Sequence, residues 1–493
     1  MKRLVPWLRR PLLLAVLLCL PLVASAARPN VVFILADDLG WTDLGCYGSD
    51  FYETPHLDRL AREGMRFTQN YSACTVCSPT RAALLTGKYP ARLHLTDWSP
   101  GLMPDNPKLL VPDWTRHLPR EEITVAEVFR AAGYATAHIG KWHLGTAEYF
   151  PEHQGFELNL AGTDKAAPPS YHAPYRIPNL PEGPPGEYLT DRLAAEAVNF
   201  IAQHRDRSFF LYLPHFAVHT PIQGRADLVA KYRRKLRPGL THTNVQYAAM
   251  IESLDAAVGR VRAALAEHRL TERTILVFTS DNGGRITRGT TSNAPLRYGK
   301  ASAYEGGVRV PLIVYWPGVT RPGIVSDTPV ISMDWFPTLL EMCELTSPAT
   351  GPVRYADRDT GAPGCDGVSL VPLLRGTGSI ARRELFWHYP HHQHYQLGGA
   401  MPYSAIRQGD YKLIEFHDDQ RVELYHLRDD PGEQRDLADA QPDRAAELRA
   451  RLHAWRREVG AQMPVPNPHY DPNRPQYTPA RQQPRPGELP LPQ

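Results

Sequence analysis

The sequence predicts an α/β protein with a large central mixed, mostly parallel sheet flanked by helices, and a smaller C-terminal α+β domain. Three observations carry this. From Arg28 to about Leu345, short β-branched apolar runs alternate with amphipathic helical stretches. A Gly-, Pro- and Asp-rich segment, Ser347 to Gly367, then interrupts the pattern as a long surface connection. Beyond it two strand-like runs flank Gly409-Asp410, and a helical pattern follows from about Pro442 to Val459.

The chain has 493 residues, 42% hydrophobic and 22% charged, which excludes a fibre or a wholly disordered tail. Its first element is a leader. Lys2, Arg3, Arg9 and Arg10 precede an apolar run from Pro11 to Val23 that closes on Ala24-Ser25-Ala26, the pattern of a secretory signal peptide cut before Ala27. Export to the periplasm or the extracellular space is expected. The apolar run is short for a membrane span, and no amphipathic anchor is visible elsewhere. Losing four basic residues and no acid takes the formal charge from +3 to −1, so no global field attracts nucleic acid, and an anion must be held by a local site. Cys46, Cys74, Cys77, Cys343 and Cys365 remain. Their number is odd, so at least one stays free, pairs with another chain or is chemically altered.

Four runs read as buried strands: Asn30 to Leu35, Ala135 to Ile139, Phe209 to Leu213 and Thr274 to Phe278. Helices are expected from Thr124 to Ala132, closed by Gly133, and from Val245 to His268. Leu385 to Tyr389, Ala405 to Arg407 and Tyr411 to Ile414 read as strands of the second domain. After Met463, ten prolines fall in thirty residues, so that tail is extended and either wraps the surface or is disordered.

Ligands of an α/β sheet bind just outside the carboxyl ends of its strands. Here the first strand ends in Asp37-Asp38, the second leads to Lys141 and His143, the third to His219 and the fourth to Asp281-Asn282. If the strands are parallel neighbours, these groups converge on one rim. Asp37-Asp38 alone reads as a turn pair. Joined by Asp281 and Asn282, it becomes a set of hard oxygen donors suited to Ca²⁺ or Mg²⁺ and poorly suited to Zn²⁺. His143 and His219, taken singly, read as structural histidines; Lys141 after a buried strand calls for an anion.

The sharpest feature is Cys77-Ser78-Pro79-Thr80-Arg81-Ala82-Ala83-Leu84-Leu85-Thr86-Gly87. Pro79 and Gly87 bracket a short helix with Cys77 at its N-cap, in an exposed position, and Arg81 one turn on. A helix N-terminus favours a nucleophile or an anion. The competing readings are a disulfide, a redox pair with Cys74, or half a zinc site, for which no second half is present.

On these residues the sequence resembles the type I, formylglycine-dependent sulfatase family of the alkaline-phosphatase-like superfamily. The segment from Cys77 matches the signature C-x-P-x-R with its trailing Thr-Gly. The resemblance extends over Pro29 to Gly40, Gly140 to Gly145 with His153 to Phe156, Val218 to Pro221, Ser280 to Gly283, and Gly299-Lys300 with Tyr304 to Arg309. Asp410 to Leu413, Glu423 to Tyr425 and Asp430 to Glu433 look like the family's C-terminal part.

The resemblance implies that Cys77 is oxidised by a separate formylglycine-generating enzyme to Cα-formylglycine, whose gem-diol forms a covalent sulfo-enzyme intermediate. It implies one Ca²⁺ per chain, held by Asp37, Asp38, Asp281 and Asn282 with the modified Cys77. Arg81 would orient the diol, Lys141 and Lys300 would bind sulfate oxygens, and His143 and His219 would transfer protons. The expected division is a signal peptide (1–26), a catalytic sulfatase domain (27–375), a C-terminal antiparallel-sheet subdomain (376–462) and a Pro-rich tail (463–493).

The expected substrate is a sulfated carbohydrate or small sulfate ester, with aryl sulfates as surrogates and neither nucleic acid nor membrane as partner. The specificity segments are Asp97 to Leu118, Gly162 to Tyr188, and the His-rich stretch from His388 to Gly399, which is either a solvated loop or a pocket wall. Two other classes share parts of the pattern: a phosphatase or phosphonate monoester hydrolase of the same superfamily, and a non-catalytic sulfated-glycan binding protein.

Overall fold

The computed structural model describes residues 28–345, 365–380, 384–393 and 401–476. The expected signal peptide, most of the connection from Ser347, residues 394–399 of the His-rich stretch and the tail beyond 476 lie outside these residues.

A nine-stranded sheet forms the centre. From one edge its strands run Val330–Ile331, Met65–Tyr71, Arg309–Tyr315, Thr274–Ser280, Asn30–Ala36, Phe209–Pro214, Ala135–Ile139 and Leu158–Leu160, with Ile324–Ser326 also paired to Met65–Tyr71. The four expected strands are adjacent and parallel in its middle. Arg309–Tyr315 runs antiparallel to both neighbours and makes the sheet mixed.

Both faces are covered, so the central strands are apolar on both sides. Val32, Ile34 and Ala36 pack into one core with Leu193 and Ala197 of the Leu189–Gln203 helix and with Ile251, Leu254 and Val258 of the Val245–Glu267 helix. Val31, Phe33 and Leu35 pack into the other with Leu84 and Leu85 of Cys77–Thr86, Val128 of Val125–Ala131 and Leu339 of Trp335–Met342. The Val125–Ala131 helix starts where its sequence says it should, since Thr124 Oγ1 accepts from the Glu127 amide while the Glu127 carboxylate accepts from the Thr124 amide.

The expected pair around Gly409-Asp410 is the inner part of a four-stranded antiparallel sheet, Glu384–Tyr389, Tyr403–Gln408, Tyr411–Phe416 and Val422–His426. The Pro442–Glu458 helix packs on it through Leu448, Leu452 and Trp455. Trp387, Ile406 and Leu413 share one core with Tyr71, Val76, Ala83 and Tyr304, so this second sheet closes directly over the start of the Cys77–Thr86 helix.

Two expectations left open by the sequence are narrowed. The described part of the Pro-rich tail wraps the surface: Val465–Pro466 pairs with Leu109–Leu110, and Asn106 Nδ2 donates to the carbonyls of Asp471 and Arg474. The described part of the His-rich stretch is no solvated loop, because His388, His391, His392 and Gln393 are buried. Their imidazoles are satisfied inside the protein, His388 by Ser404 and the Gln462 carbonyl and His392 by the Leu109 carbonyl. Among the described residues no helix is long and apolar enough to cross a membrane.

Candidate active site

Because the four central strands are parallel neighbours, Asp281-Asn282, Asp37-Asp38, His219 and Lys141 with His143 leave the sheet at the same edge. The backbone ties these exits together. The Asp281 amide donates to the Ala36 carbonyl at 3.1 Å, the Lys141 amide to Pro214 at 2.7 Å and the Asp37 amide to Ala217 at 3.0 Å. Gly140, with φ +133°, is required for this closeness: a Cβ there would collide with the Pro214 carbonyl oxygen. Asp38 and His143 are both held at positive φ, 60° and 59°, a strained state that clusters where side chains must be aimed.

The helix carrying the signature spans Cys77–Thr86, with Val76 at its N-cap and Cys77 as its first residue, one position inside the expected cap. Gly87 closes it in the left-handed conformation. The expectation that Cys77 is exposed is corrected: it is 3% accessible, because the second sheet and the segment around Trp98 close over the helix start. Its Sγ lies 3.3 Å from His143 Nδ1. None of the five described cysteines forms a disulfide.

His143 Nε2 donates to the Ser99 carbonyl oxygen at 2.5 Å. A carbonyl can only accept, so the ring proton sits on Nε2 and the lone pair of Nδ1 faces residue 77. Arg81, one turn along the helix, donates Nε and Nη2 to Asp281 Oδ2 at 3.0 and 2.7 Å and Nη1 to the Lys141 carbonyl at 2.8 Å.

The remaining carboxylates are paired with lysines. Lys141 Nζ is 2.6 Å from Asp37 Oδ2, and Lys300 Nζ is 2.7 Å from Asp38 Oδ1. Asn282 Nδ2 donates to Asp38 Oδ1 at 2.7 Å, and His219 Nε2 stands 3.6 Å from Asp38 Oδ2. Burial, then the Asp281 charge, raises the Asp37 carboxyl well above the usual carboxylate range, against the pull of Lys141 and Arg81. Burial also opposes the Asp38 anion, but Lys300, His219 and Lys141 outweigh it and hold that carboxyl low. Burial, then Lys141, pushes the His143 imidazole well below its ordinary value; burial and Lys300 do the same to His219.

The donor set fits a hard divalent cation. Asp37, Asp38 and His219 offer ligand atoms within 4.8 Å of one another, and Asp37 Oδ1 and Asn282 Oδ1 are buried without a hydrogen-bond partner. Two orphaned oxygens beside converging carboxylates are chemistry that an oxygen-seeking cation satisfies. Asp281 turns both oxygens inward, to the Asp38 amide and to Arg81.

Several supporting groups escaped the sequence reading. The Tyr247 hydroxyl lies 3.0 Å from the Asp38 carbonyl and 2.7 Å from Asp43 Oδ2, and Ser78 Oγ donates to the His143 carbonyl at 2.9 Å. A backbone carbonyl such as that of Ser99 leaves no trace in residue types. Ser78 lies inside the signature at a position its pattern leaves open.

A central sheet whose strand ends bring carboxylates, lysines and imidazoles against a helix-borne cysteine and arginine defines a hydrolase of the alkaline-phosphatase-like class. The chain belongs to the sulfatase family and is a sulfuric ester hydrolase: the family description "Sulfatase" matches residues 29–345 and "N-sulphoglucosamine sulphohydrolase, C-terminal" matches 297–459. It is 34% identical to a sulfatase of Formosa agariphila, covering 89% of this chain and 92% of the relative. It is 35% identical to arylsulfatase A of Homo sapiens, with 84% of each covered. The structure of Ps i-CgsB superposes with a TM-score of 0.71 at 26% identity over 87% of this chain and 92% of the other, and that protein is also solved in complex with k-i-k-neocarrahexaose.

Proposed function

We propose that the chain is an exported sulfatase that removes sulfate from carbohydrates, with Cys77 converted by a formylglycine-generating enzyme to Cα-formylglycine. The observation that carries this reading is the placement of residue 77: first in a buried helix, facing the Nδ1 lone pair of His143, one turn from an arginine locked to Asp281. An ordinary buried cysteine has no use for that company.

Asp37, Asp38, Asp281 and Asn282, with residue 77, would hold one Ca²⁺, which supplies charge neutralisation and Lewis-acid polarisation. A hydrated formylglycine at position 77 would supply two hydroxyls, one as the nucleophile toward sulfur and one whose deprotonation would expel sulfate and restore the aldehyde. Lys141 and Lys300 bind the equatorial oxygens of the ester, where charge is already delocalised. Arg81 orients residue 77 through its grip on Asp281 and the Lys141 carbonyl. His219, whose Nδ1 donates to the Thr220 carbonyl, presents Nε2 to the leaving oxygen together with Lys300. Burial and Lys300 leave this imidazole neutral in the free protein, so Nε2 would carry a proton for the leaving oxygen only once the anionic ester, lying on Lys141 and Lys300, offsets their charge. His143 then takes a proton from residue 77 at Nδ1, and sulfate is released.

Carbohydrate is favoured over a lipid ester by the oligosaccharide complex of the similar structure. The test sets sulfated mono- and oligosaccharides, an aryl sulfate, and the matching phosphate and phosphonate monoesters side by side. Sulfated sugars and the aryl sulfate should turn over fastest. Faster phosphate or phosphonate hydrolysis would replace this reading with that of a phosphatase or phosphonate monoester hydrolase, and a chain that binds sulfated glycans without turnover would make it a binding protein.

A further inference from the structure

The segment from Thr96 to Ser99 runs between the second sheet and the active site. On one side it is clamped. Asp97 is 1% accessible, and its Oδ1 accepts from the Tyr389 hydroxyl at 2.6 Å, from the Trp98 amide at 2.9 Å and from Gln393 Nε2 at 3.3 Å. Gln393 Nε2 also donates to the Tyr389 hydroxyl oxygen, and Thr96 Oγ1 pairs with His391 Nε2 at 2.8 Å. Tyr389 is the last residue of the Glu384–Tyr389 strand, so the clamp belongs to the second sheet.

On its other side the same segment touches chemistry. Ser99 supplies the carbonyl that takes the His143 Nε2 proton, and its amide donates to Ser78 Oγ at 3.3 Å, next to residue 77. The Trp98 ring lies 6.4 Å from the His143 ring. The placement of the Ser99 carbonyl decides which ring nitrogen is the base.

We propose that Asp97 is a positioning residue for His143: held by Tyr389 and Gln393, it fixes the Ser99 carbonyl that keeps the imidazole as a base at Nδ1. This rests on the reading of His143 as the group that discharges residue 77. In this reading Asp97 acts through the Ser99 carbonyl and not on the substrate. Burial lifts its carboxyl to about 8 against the pull of the Tyr389 hydroxyl, so it occupies the core at a cost that packing alone does not explain. Misplacing a catalytic group by about 1 Å costs on the order of 10²-fold in rate, and here the loss falls on the discharge step alone.

The experiment uses the full chain carrying the modified residue 77, quenched during turnover of saturating aryl sulfate, with peptide mass analysis of the residue-77 segment. Asp97→Ala and Tyr389→Phe should lower kcat about 10- to 100-fold and KM by a similar factor, leaving kcat/KM nearly unchanged, because only the discharge step slows. Their residue-77 peptide should be heavier by one sulfuryl group, because loading continues while discharge stalls. Asp97→Asn, which keeps an acceptor oxygen for Tyr389 and the Trp98 amide, should recover most of kcat. His143→Ala serves as the reference and should accumulate the sulfated peptide. Absence of that peptide in His143→Ala overturns the reading of His143 and the inference with it. Its presence there but absence in both Asp97→Ala and Tyr389→Phe overturns the inference alone, as does an Asp97→Asn variant no better than Asp97→Ala.

Discussion

Arg81 shows how much one residue is asked to do. Its guanidinium is buried, and the Asp281 and Asp37 charges overcome the burial penalty and keep it protonated. Lysine offers one point charge and cannot reach Asp281 and the Lys141 carbonyl together, so Arg81→Lys should cost about 10²- to 10³-fold in kcat on an aryl sulfate while circular dichroism stays unchanged. The acidic ligands act as a set. Asp37→Ala or Asp281→Ala should abolish calcium binding by titration calorimetry and lower activity by a similar factor, whereas a zinc-selective chelator should leave the native enzyme active. At this scale the sequence was generous: the proposed site residues other than Lys300 follow strand ends or sit in one signature segment, and Lys300 was reached only through the family resemblance. Cys77 was misjudged as exposed because the sheet that covers it begins some three hundred residues later, and nothing local announces a lid from so far away. Asp97 lay inside a segment expected to set specificity, yet its partners Tyr389 and Gln393 are distant in sequence.

Elements were legible where the pattern was local. Thr124 with Glu127 marks a helix start by itself, and three of the four central strands announce themselves as near-continuous apolar runs, Ala135–Ile139 being interrupted by Thr136 and His138. Two sheet members did not. Arg309–Tyr315 carries Pro311 in mid-strand, which argues against a strand, and Met65–Tyr71 mixes Arg66, Thr68, Gln69 and Asn70 into its seven residues. Another element hides a titration. Asp255 on the Val245–Glu267 helix accepts from the His56 and Leu57 amides at the start of Pro55–Glu63, and burial raises its carboxyl to about 7 against those two bonds. Between about pH 4, where the unfolded chain loses this proton, and pH 7 the folded chain keeps it, so this contribution to stability is full at low pH and falls as pH rises. Asp255→Asn does not titrate. Its thermal midpoint, measured against the native chain, should therefore improve as pH rises from 4 to 7; a difference that stays constant would refute the assignment.

For the whole molecule the decisive feature is how the two sheets are joined. Lys412 of the second sheet is buried between Glu305 and Glu433, at 3.1 and 2.9 Å, and Arg407 reaches Tyr71 on the central sheet. Removing one partner strands buried charge, so Lys412→Ala should lose about 3–5 kcal/mol in denaturant unfolding, against near-neutral effects for exposed lysines such as Lys165. Sequence pattern foretold two sheets but could not show that the second one closes the active site of the first, since that depends on pairings across some three hundred residues. The account as a whole stands on residue 77. Protein produced with and without a formylglycine-generating enzyme should be compared by peptide mass of the residue-77 segment and by sulfate ester turnover. The expected result is an aldehyde at position 77 in proportion to activity, with a folded but nearly inert thiol form. A preparation carrying only the unmodified Cys77 thiol that turned over sulfate esters at full rate would contradict it.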